Sequence, residues 1–291
     1  MILVAGGTGR LGSLLIARLV HRGLPVRVLT RDVSKARNLL PPGVEFAEGD
    51  VRDAASVGRA AAGARLILSA VQGLTGRHGS SPATVDRDGN RNLTDAAGAQ
   101  DAALVLVSVI GAAPDSPMEL FRMKYAAEQY LKASTIPYTV VQASAFLELW
   151  VELLRNSAKR GGHPVILGRG DVSRNYVSVV DVAALLDQVV TDPSTRGRTL
   201  QLTGPQNMSL NDLARSLQQS ADGPAGSARH VPVGVVRAAA ATLGLVVPSV
   251  GRVLRASVAQ DQLDLTSRLD DIRSDYPGIP CTTLAKALAV V

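Results

Sequence analysis

The sequence predicts an α/β chain built on a doubly wound parallel sheet, with a smaller C-terminal cap. Three observations carry that expectation. Ile2, Leu3, Val4 and Ala5 form an apolar run without alternation, the pattern of a central strand covered on both faces. Gly6, Gly7, Gly9 and Gly12 follow at once, and Leu11, Leu14, Leu15 and Leu19 then recur at helical spacing. Short apolar runs alternate with helical stretches as far as residue 202, as a succession of βαβ units requires.

Composition bounds the function classes. The 291 residues suffice for one large α/β domain or a nucleotide domain with an appendage. We divide them into a core over 1–150 and a mixed region over 151–291, which adds strands and helices to the core and carries a helical substrate-side cap. Hydrophobic residues make up 46%, mostly Ala, Val and Leu, which suits helices packed on a sheet and argues against disorder. The net charge of +6 comes mainly from arginines scattered along the chain, so neither a nucleic-acid stripe nor a polybasic membrane anchor is expected. The uncharged runs 133–147 and 238–251 fall short of the roughly 18 residues a spanning helix needs, and contain Pro137 and Pro248. Cys281 is the only cysteine, which excludes an internal disulfide and fits a reducing cytoplasm. With a strand beginning at residue 2, no signal peptide is expected. No metal-ligand cluster and no serine–histidine–acid order stands out.

The glycine stretch is the first candidate site. Residues without Cβ let backbone N–H groups approach a pyrophosphate at a helix start, so Gly6, Thr8, Gly9, Arg10, Leu11 and Gly12 are candidate cofactor contacts. Two spacings fit: Gly7-x-Gly9-x-x-Gly12, the general dinucleotide fingerprint of Rossmann domains, and Gly6-x-x-Gly9-x-x-Gly12 of extended and atypical short-chain dehydrogenases. The second strand, 25–30, ends at Thr30-Arg31-Asp32, where a carboxylate holds a ribose hydroxyl and an arginine accommodates a 2′-phosphate. Arg31 favours NADP(H), with Arg10 a second contact, and its alternative is a plain surface role. Asp32 is read first as the N-cap of a helix over 33–40, and second as a ribose ligand.

The third strand, 44–47, leads to Asp50 and Val51, which either border the adenine or form a turn before a helix over 53–62. After the fourth strand, 65–70, strand order reverses, so Ala70, Val71 and Gln72 are expected to line the cofactor. The loop 73–82 contains His78, a weakly supported acid or base. A helix over 85–99 and a strand over 104–109 follow, with Ser108 near the strand's carboxyl end. Ser116-Pro117-Met118-Glu119 has the form of a capping box. In the helix after it, Leu120, Met123, Ala127, Tyr130 and Leu131 form the apolar stripe, with Lys124 at its edge. Lys124 either pairs with Glu128 four residues on or acts as a cation beside the nicotinamide ribose.

The strand 137–141 precedes a loop and helix start at 143–148, where Ala143 and Phe146 are candidate cofactor contacts. Phe146 and Trp150 either wall a substrate pocket or belong to the core. Ser178 to Asp181 and Ser209 to Asp212 form further capping boxes around a strand at 199–202. Beyond Pro224, short apolar helices over 231–245, 250–258 and 282–290 make up the cap, where Arg252 and Arg255 meet either solvent or an anionic ligand.

These residues resemble the NmrA-like members of the atypical short-chain dehydrogenase/reductase family. The resemblance spans roughly residues 1–217. Besides the glycine stretch it rests on Leu-Thr-Arg-Asp at 29–32, Glu-Gly-Asp at 48–50 and Asn-Arg-Asn-Leu-Thr-Asp-Ala-Ala at 90–97. Further support comes from Lys124 with Glu128, Tyr-Thr-Val-Val at 138–141 and Leu-Thr-Gly-Pro at 202–205. It implies NAD(P)H binding and, in some members, quinone or isoflavone-type reduction assisted by the lysine matching Lys124; other members are redox-sensing regulators. Two departures stand out. Leu120 occupies the tyrosine position of Tyr-x-x-x-Lys, and Gln142-Ala143 replaces the family's arginine–proline. The expectation is an NADPH-dependent reductase of a quinone, enone or carbonyl small molecule, with Lys124 stabilising the oxyanion and Ser108 holding the acceptor. It would be a cytoplasmic monomer or homodimer. The alternative is a non-catalytic NADP(H) sensor that binds a protein partner; a third reading, a sugar-nucleotide epimerase, requires the tyrosine that Leu120 replaces here.

Overall fold

The computed structural model describes residues 1–76, 79–159, 161–220, 223–267 and 272–288. The chain opens with β1 (Ile2–Ala5), α1 (Arg10–His21), β2 (Val26–Thr30), α2 (Val33–Leu39), β3 (Glu45–Glu48), α3 (Ala54–Ala61) and β4 (Leu66–Ser69). A π-helix, Pro82–Gly89, runs directly into α4 (Asn90–Ala99), followed by β5 (Ala103–Val109), α5 (Glu119–Ala133) and β6 (Tyr138–Ala143). Next come β7 (Ala145–Phe146), α6 (Leu147–Ala158), β8 (Val165–Leu167), β9 (Arg174–Val177), α7 (Val179–Val189) and β10 (Arg198–Leu202). The last elements are β11 (Gln206–Met208), α8 (Leu210–Gln218), β12 (Arg229–Val231), α9 (Val233–Val246), α10 (Pro248–Gln260), α11 (Ile272–Asp275) and α12 (Leu284–Leu288).

Two compact units form. The first comprises Met1–Ala143, Val180–Leu202 and Asp271–Pro280; the second comprises Ser144–Val179, Thr203–Asp270 and Cys281–Val291. In the first, seven strands make a sheet in the order β10-β6-β5-β4-β1-β2-β3, and each neighbouring pair is parallel. That is the doubly wound Rossmann arrangement the sequence predicts. β1 is fully buried because its apolar run has helices on both faces. Order reverses between β1 and β4, and α/β sheets hold their ligands at the carboxyl end of such a reversal. The second unit packs Leu147, Val151, Leu154, Ile166, Tyr176, Leu213 and Leu217 around the small sheets β11-β9-β7 and β12-β8. Its helices α9 and α10 leave Leu245 85% and Val246 80% exposed at their turn.

Local chemistry explains most element starts. Asp32 caps α2 through the Lys35 N–H at 2.9 Å, and Asp53 caps α3 through that of Ala55 at 3.0 Å. Ser209 and Asp212 complete a reciprocal capping box on α8. Ser116 does not. Met118, extended and buried, is the N-cap of α5, so the helix starts later and the Ser116 hydroxyl accepts only the Met118 N–H. The helix expected over 85–99 begins earlier, at a Ser81–Thr84 capping box, and its first part is a π-helix. In α5 the buried face includes Phe121, Lys124 and Glu128, while Met123 and Tyr130 lie half-exposed, so Lys124 sits in the stripe rather than at its edge.

Gly12 shows how closely the first turn is built: a Cβ there would collide with the Gly6 carbonyl oxygen. Gly12→Ala is expected to destabilise the protein by about 1–3 kcal/mol through overpacking against backbone. Urea unfolding checks this, and an unchanged midpoint would mean that the loop opens at no cost.

Candidate active site

The glycine turn and the reversal of the sheet meet in one place. Gly6 has φ of +87°, a conformation open to glycine, and a Cβ on it would lie 2.6 Å from the Ala70 oxygen and 3.1 Å from the Val71 nitrogen. The Ala70 N–H donates to the Ala5 carbonyl at 2.9 Å, which fixes the close approach. Gly9 stands at the N-cap of α1 without a side-chain cap, and the first turn holds no acidic residue. Helix N–H groups with no cap of their own suit an anion. Thr8 is half-buried and Arg10 exposed; Leu11 is buried, which leaves its backbone N–H as its contribution to the cradle. This cradle, narrow where a Cβ would fill it and electropositive at the helix start, fits a dinucleotide pyrophosphate.

At the ends of β2 and β3, Arg31 is exposed, and Asp32 serves as a helix cap. Asp50 accepts from the Arg52 guanidinium at 2.7 Å and 3.0 Å and from its backbone N–H at 3.0 Å. Those bonds hold its carboxyl below the usual range, with a smaller pull from Arg31. Asn92 donates to the Val51 carbonyl at 2.8 Å and fixes that turn. Ala70 is half-buried, Val71 buried and Gln72 exposed. His78 lies outside the described residues.

Lys124 is 4% exposed, and its ammonium makes two hydrogen bonds and one ion pair. It donates to the carbonyls of Val71 at 2.9 Å and Val107 at 3.0 Å, and its third contact is Asp86 Oδ1 at 3.1 Å. Of the two readings of Lys124, the pairing with Glu128 is absent. Glu128 instead accepts from the Ser108 hydroxyl at 2.5 Å, the Gln142 amide at 2.9 Å and 3.1 Å, and Lys132 at 3.4 Å. Gln142 in turn accepts from Gln201 at 2.9 Å. Ser108, 2% exposed, is therefore tied into a carboxylate network, and Lys132 takes the helical i,i+4 pairing. Ala143, buried, closes β6.

Asp86 is the residue that sequence reasoning missed. It is fully buried in the π-helix and accepts the Gly73 N–H at 2.8 Å. Burial pushes its carboxyl up, against the pull of Lys124. Its partner stands 38 positions away, so no local spacing marks the pair; only an acid at a π-helical position hints at it.

In the second unit, Phe146 caps α6 and Trp150 faces the Arg174 guanidinium at 5.1 Å from its ring centre. Arg174 is 2% exposed, and burial pushes the neighbouring Tyr176 hydroxyl up to about 12. Trp150 therefore packs against a buried cation. Among the described residues no group of three or more His, Cys, Asp and Glu side chains is placed to hold a metal ion, and no helix is long and apolar enough to cross a membrane.

This fold and this cradle define a dinucleotide-binding domain of the Rossmann class. The comparisons narrow it: the NAD(P)H-binding family model matches residues 6–193. The chain is 30% identical over 289 residues to the NAD(P)H azoreductase of Xenophilus azovorans, covering 98% of this chain and 96% of that protein. It is 26% identical to the probable pinoresinol-lariciresinol reductase 3 of Arabidopsis thaliana, over 73% of this chain and 70% of that one. Among solved structures, the NADPH-dependent quinone oxidoreductase of Escherichia coli, complexed with NADPH, superposes with a TM-score of 0.78 at 23% identity, covering 100% and 99% of the two chains; this likeness is one of fold. The chain belongs to the NAD(P)H-binding family, in its NmrA-like, atypical short-chain dehydrogenase/reductase branch.

The buried pair generates a stability prediction. Lys124→Met leaves Asp86 without its counter-charge, and breaking such a pair costs about 3–5 kcal/mol. The double variant Asp86→Asn/Lys124→Met is expected to recover most of that loss in urea unfolding. Additive losses would show that the two charges do not depend on each other.

Proposed function

We propose that the protein is an NADPH-dependent reductase acting on a quinone, enone or carbonyl small molecule. One observation carries the reading: the Ala70–Val71 segment closes on Gly6 on one side and receives Lys124 on the other, so phosphate cradle and ammonium share a single piece of backbone. Similarity to an NAD(P)H azoreductase along nearly the whole chain supports reductive chemistry.

NADPH, when bound, supplies a hydride from its nicotinamide ring. The residues of the chain do the rest. Backbone N–H groups of Gly6 to Gly12 hold the pyrophosphate, and Arg31, seconded by Arg10, takes the 2′-phosphate. Asp50 and Val51 border the adenine, and Ala70, Val71, Gln72 and Ala143 the nicotinamide side. Lys124 offers a fixed positive charge near the carboxyl ends of β4 and β5. With two protons given to backbone carbonyls and its charge facing Asp86, its contribution is charge rather than proton donation. Ser108 already donates its hydroxyl hydrogen to Glu128, which leaves it none for the carbonyl oxygen of an acceptor, so it supports the Glu128 network rather than holding the acceptor. The acceptor gains two electrons with the hydride, and water supplies the proton that completes the reduction.

A second reading, a sensor that binds NADP(H) without turnover, draws on the same commitment of Lys124 and Ser108 to internal partners and on Leu120 in the tyrosine position.

Arg31→Ala is expected to weaken NADPH binding by roughly ten- to a hundredfold, the loss of a charge-assisted contact, and to leave NADH binding nearly unchanged. Fluorescence titration of both nucleotides measures this, and equal wild-type affinities would overturn the cofactor assignment. Loss of NADPH absorbance with quinones, enones and ketones, run beside Lys124→Ala, tests the activity. Binding without turnover of any acceptor favours the sensor.

A further inference from the structure

We propose that Asp86 is the positioning residue of Lys124: from the π-helix it fixes the ammonium between the carboxyl ends of β4 and β5 and locks the Val71–Gly73 segment beside it. The kinetic part of this proposal rests on the reductase reading; the structural part stands without it.

The carboxylate is anchored through a short side chain and its own backbone, whereas the ammonium is carried on a long one. Asp86 is held at both its side chain and its backbone. Its Oδ2 accepts the Gly73 N–H, and a Cβ on Gly73 would collide with the Ser81 carbonyl, so glycine permits the approach. Its own carbonyl accepts the Asn90 amide at 2.6 Å, and Asn90 accepts the Ser69 hydroxyl at 2.5 Å, which ties the π-helix to the last residue of β4. The Ser81–Thr84 capping box fixes the start of the same segment. A π-helix spends an additional residue per hydrogen-bonded turn, and such segments are frequent at functional sites.

Lys124, by contrast, ends a flexible four-carbon stem. Two of its three partners, the Val71 and Val107 carbonyls, are neutral, and Asp86 supplies the single formal charge among them. Removing that charge while keeping the shape frees the ammonium to leave its place. Asp86→Asn does this, because an amide oxygen still accepts the Gly73 N–H. In this role Asp86 touches neither acceptor nor nucleotide and acts only through Lys124.

The test compares wild type, Asp86→Asn, Lys124→Met and the double variant. With saturating NADPH, Asp86→Asn is expected to lower kcat by about tenfold or more while the NADPH Kd moves less than about threefold, the mark of a charge used in turnover rather than in binding. On the Lys124→Met background the same change is expected to cost less than about twofold, because its target is gone. An independent readout is the Lys124 side-chain ammonium resonance in 15N-detected NMR, assigned by its disappearance in Lys124→Met. We expect a slowly exchanging signal in wild type that is lost or shifted in Asp86→Asn. An unchanged signal, or kinetic losses that multiply, would overturn the proposal. Should Asp86→Asn alone fail to fold, the double variant is compared with Lys124→Met instead, and a further loss of about tenfold overturns the proposal. Should wild type turn over no acceptor, the reductase reading fails and the resonance alone decides the role of Asp86.

Discussion

The carbonyl of Ala70 lies where a side chain at position 6 would have to be. That contact brings the carboxyl ends of β1 and β4 within backbone distance, and the hydrogen bond from Ala70 to Ala5 keeps them there. The glycine turn then has one way to proceed, over the sheet edge and into α1, and Gly12 lets the helix settle against it. One peptide further on, Val71 turns its carbonyl to Lys124. A turn assembled this way depends on backbone groups more than on the identity of side chains.

Behind this edge the first unit carries a polar interior unusual for a sheet made of Val, Leu and Ile. Ser69, Asn90, Asp86 and Lys124 form one linked group, and Ser108, Glu128, Gln142 and Gln201 another. Glu128 accepts four hydrogen bonds and the Lys124 ammonium donates two, while Asp86 Oδ1 meets that ammonium as an ion pair without a hydrogen bond. Gln142 gives Glu128 two hydrogen bonds without adding a cation, and Lys132 reaches in from a more exposed position to supply the charge.

What could be read from the sequence follows from how far each signal reaches along the chain. The glycine turn, the Asp32 and Ser209 caps and the parallel strands of the first unit depend on neighbours within a few residues, and all are present as read. The Lys124–Glu128 pairing was suggested by the same local rule and is absent, because carbonyls from β5 and the turn after β4 and a carboxylate from the π-helix compete for the lysine. The Ser116 box likewise gave way to the burial of Met118. Asp86 was illegible because hydropathy cannot register an ionic pair sealed inside the fold, nor distinguish a π-helix from an α-helix. The passage of the chain out of the first unit after Ala143 and back at Val180 leaves no mark in composition either.

The bare turn between α9 and α10 has a bearing on how copies of the protein behave toward one another. Leu245 and Val246 face water almost fully, flanked by Leu243, Val247 and Val250. Apolar tips of this kind adhere when they meet. At neutral pH the net charge of +6 opposes such encounters. That repulsion acts through solvent over about 10 Å at 0.1 M salt and shortens to about 3 Å at 1 M, while the attraction between apolar surfaces persists. The colloidal stability of the protein is thus set by a balance between diffuse positive charge and one small oily corner, and ionic strength is the variable that tips it.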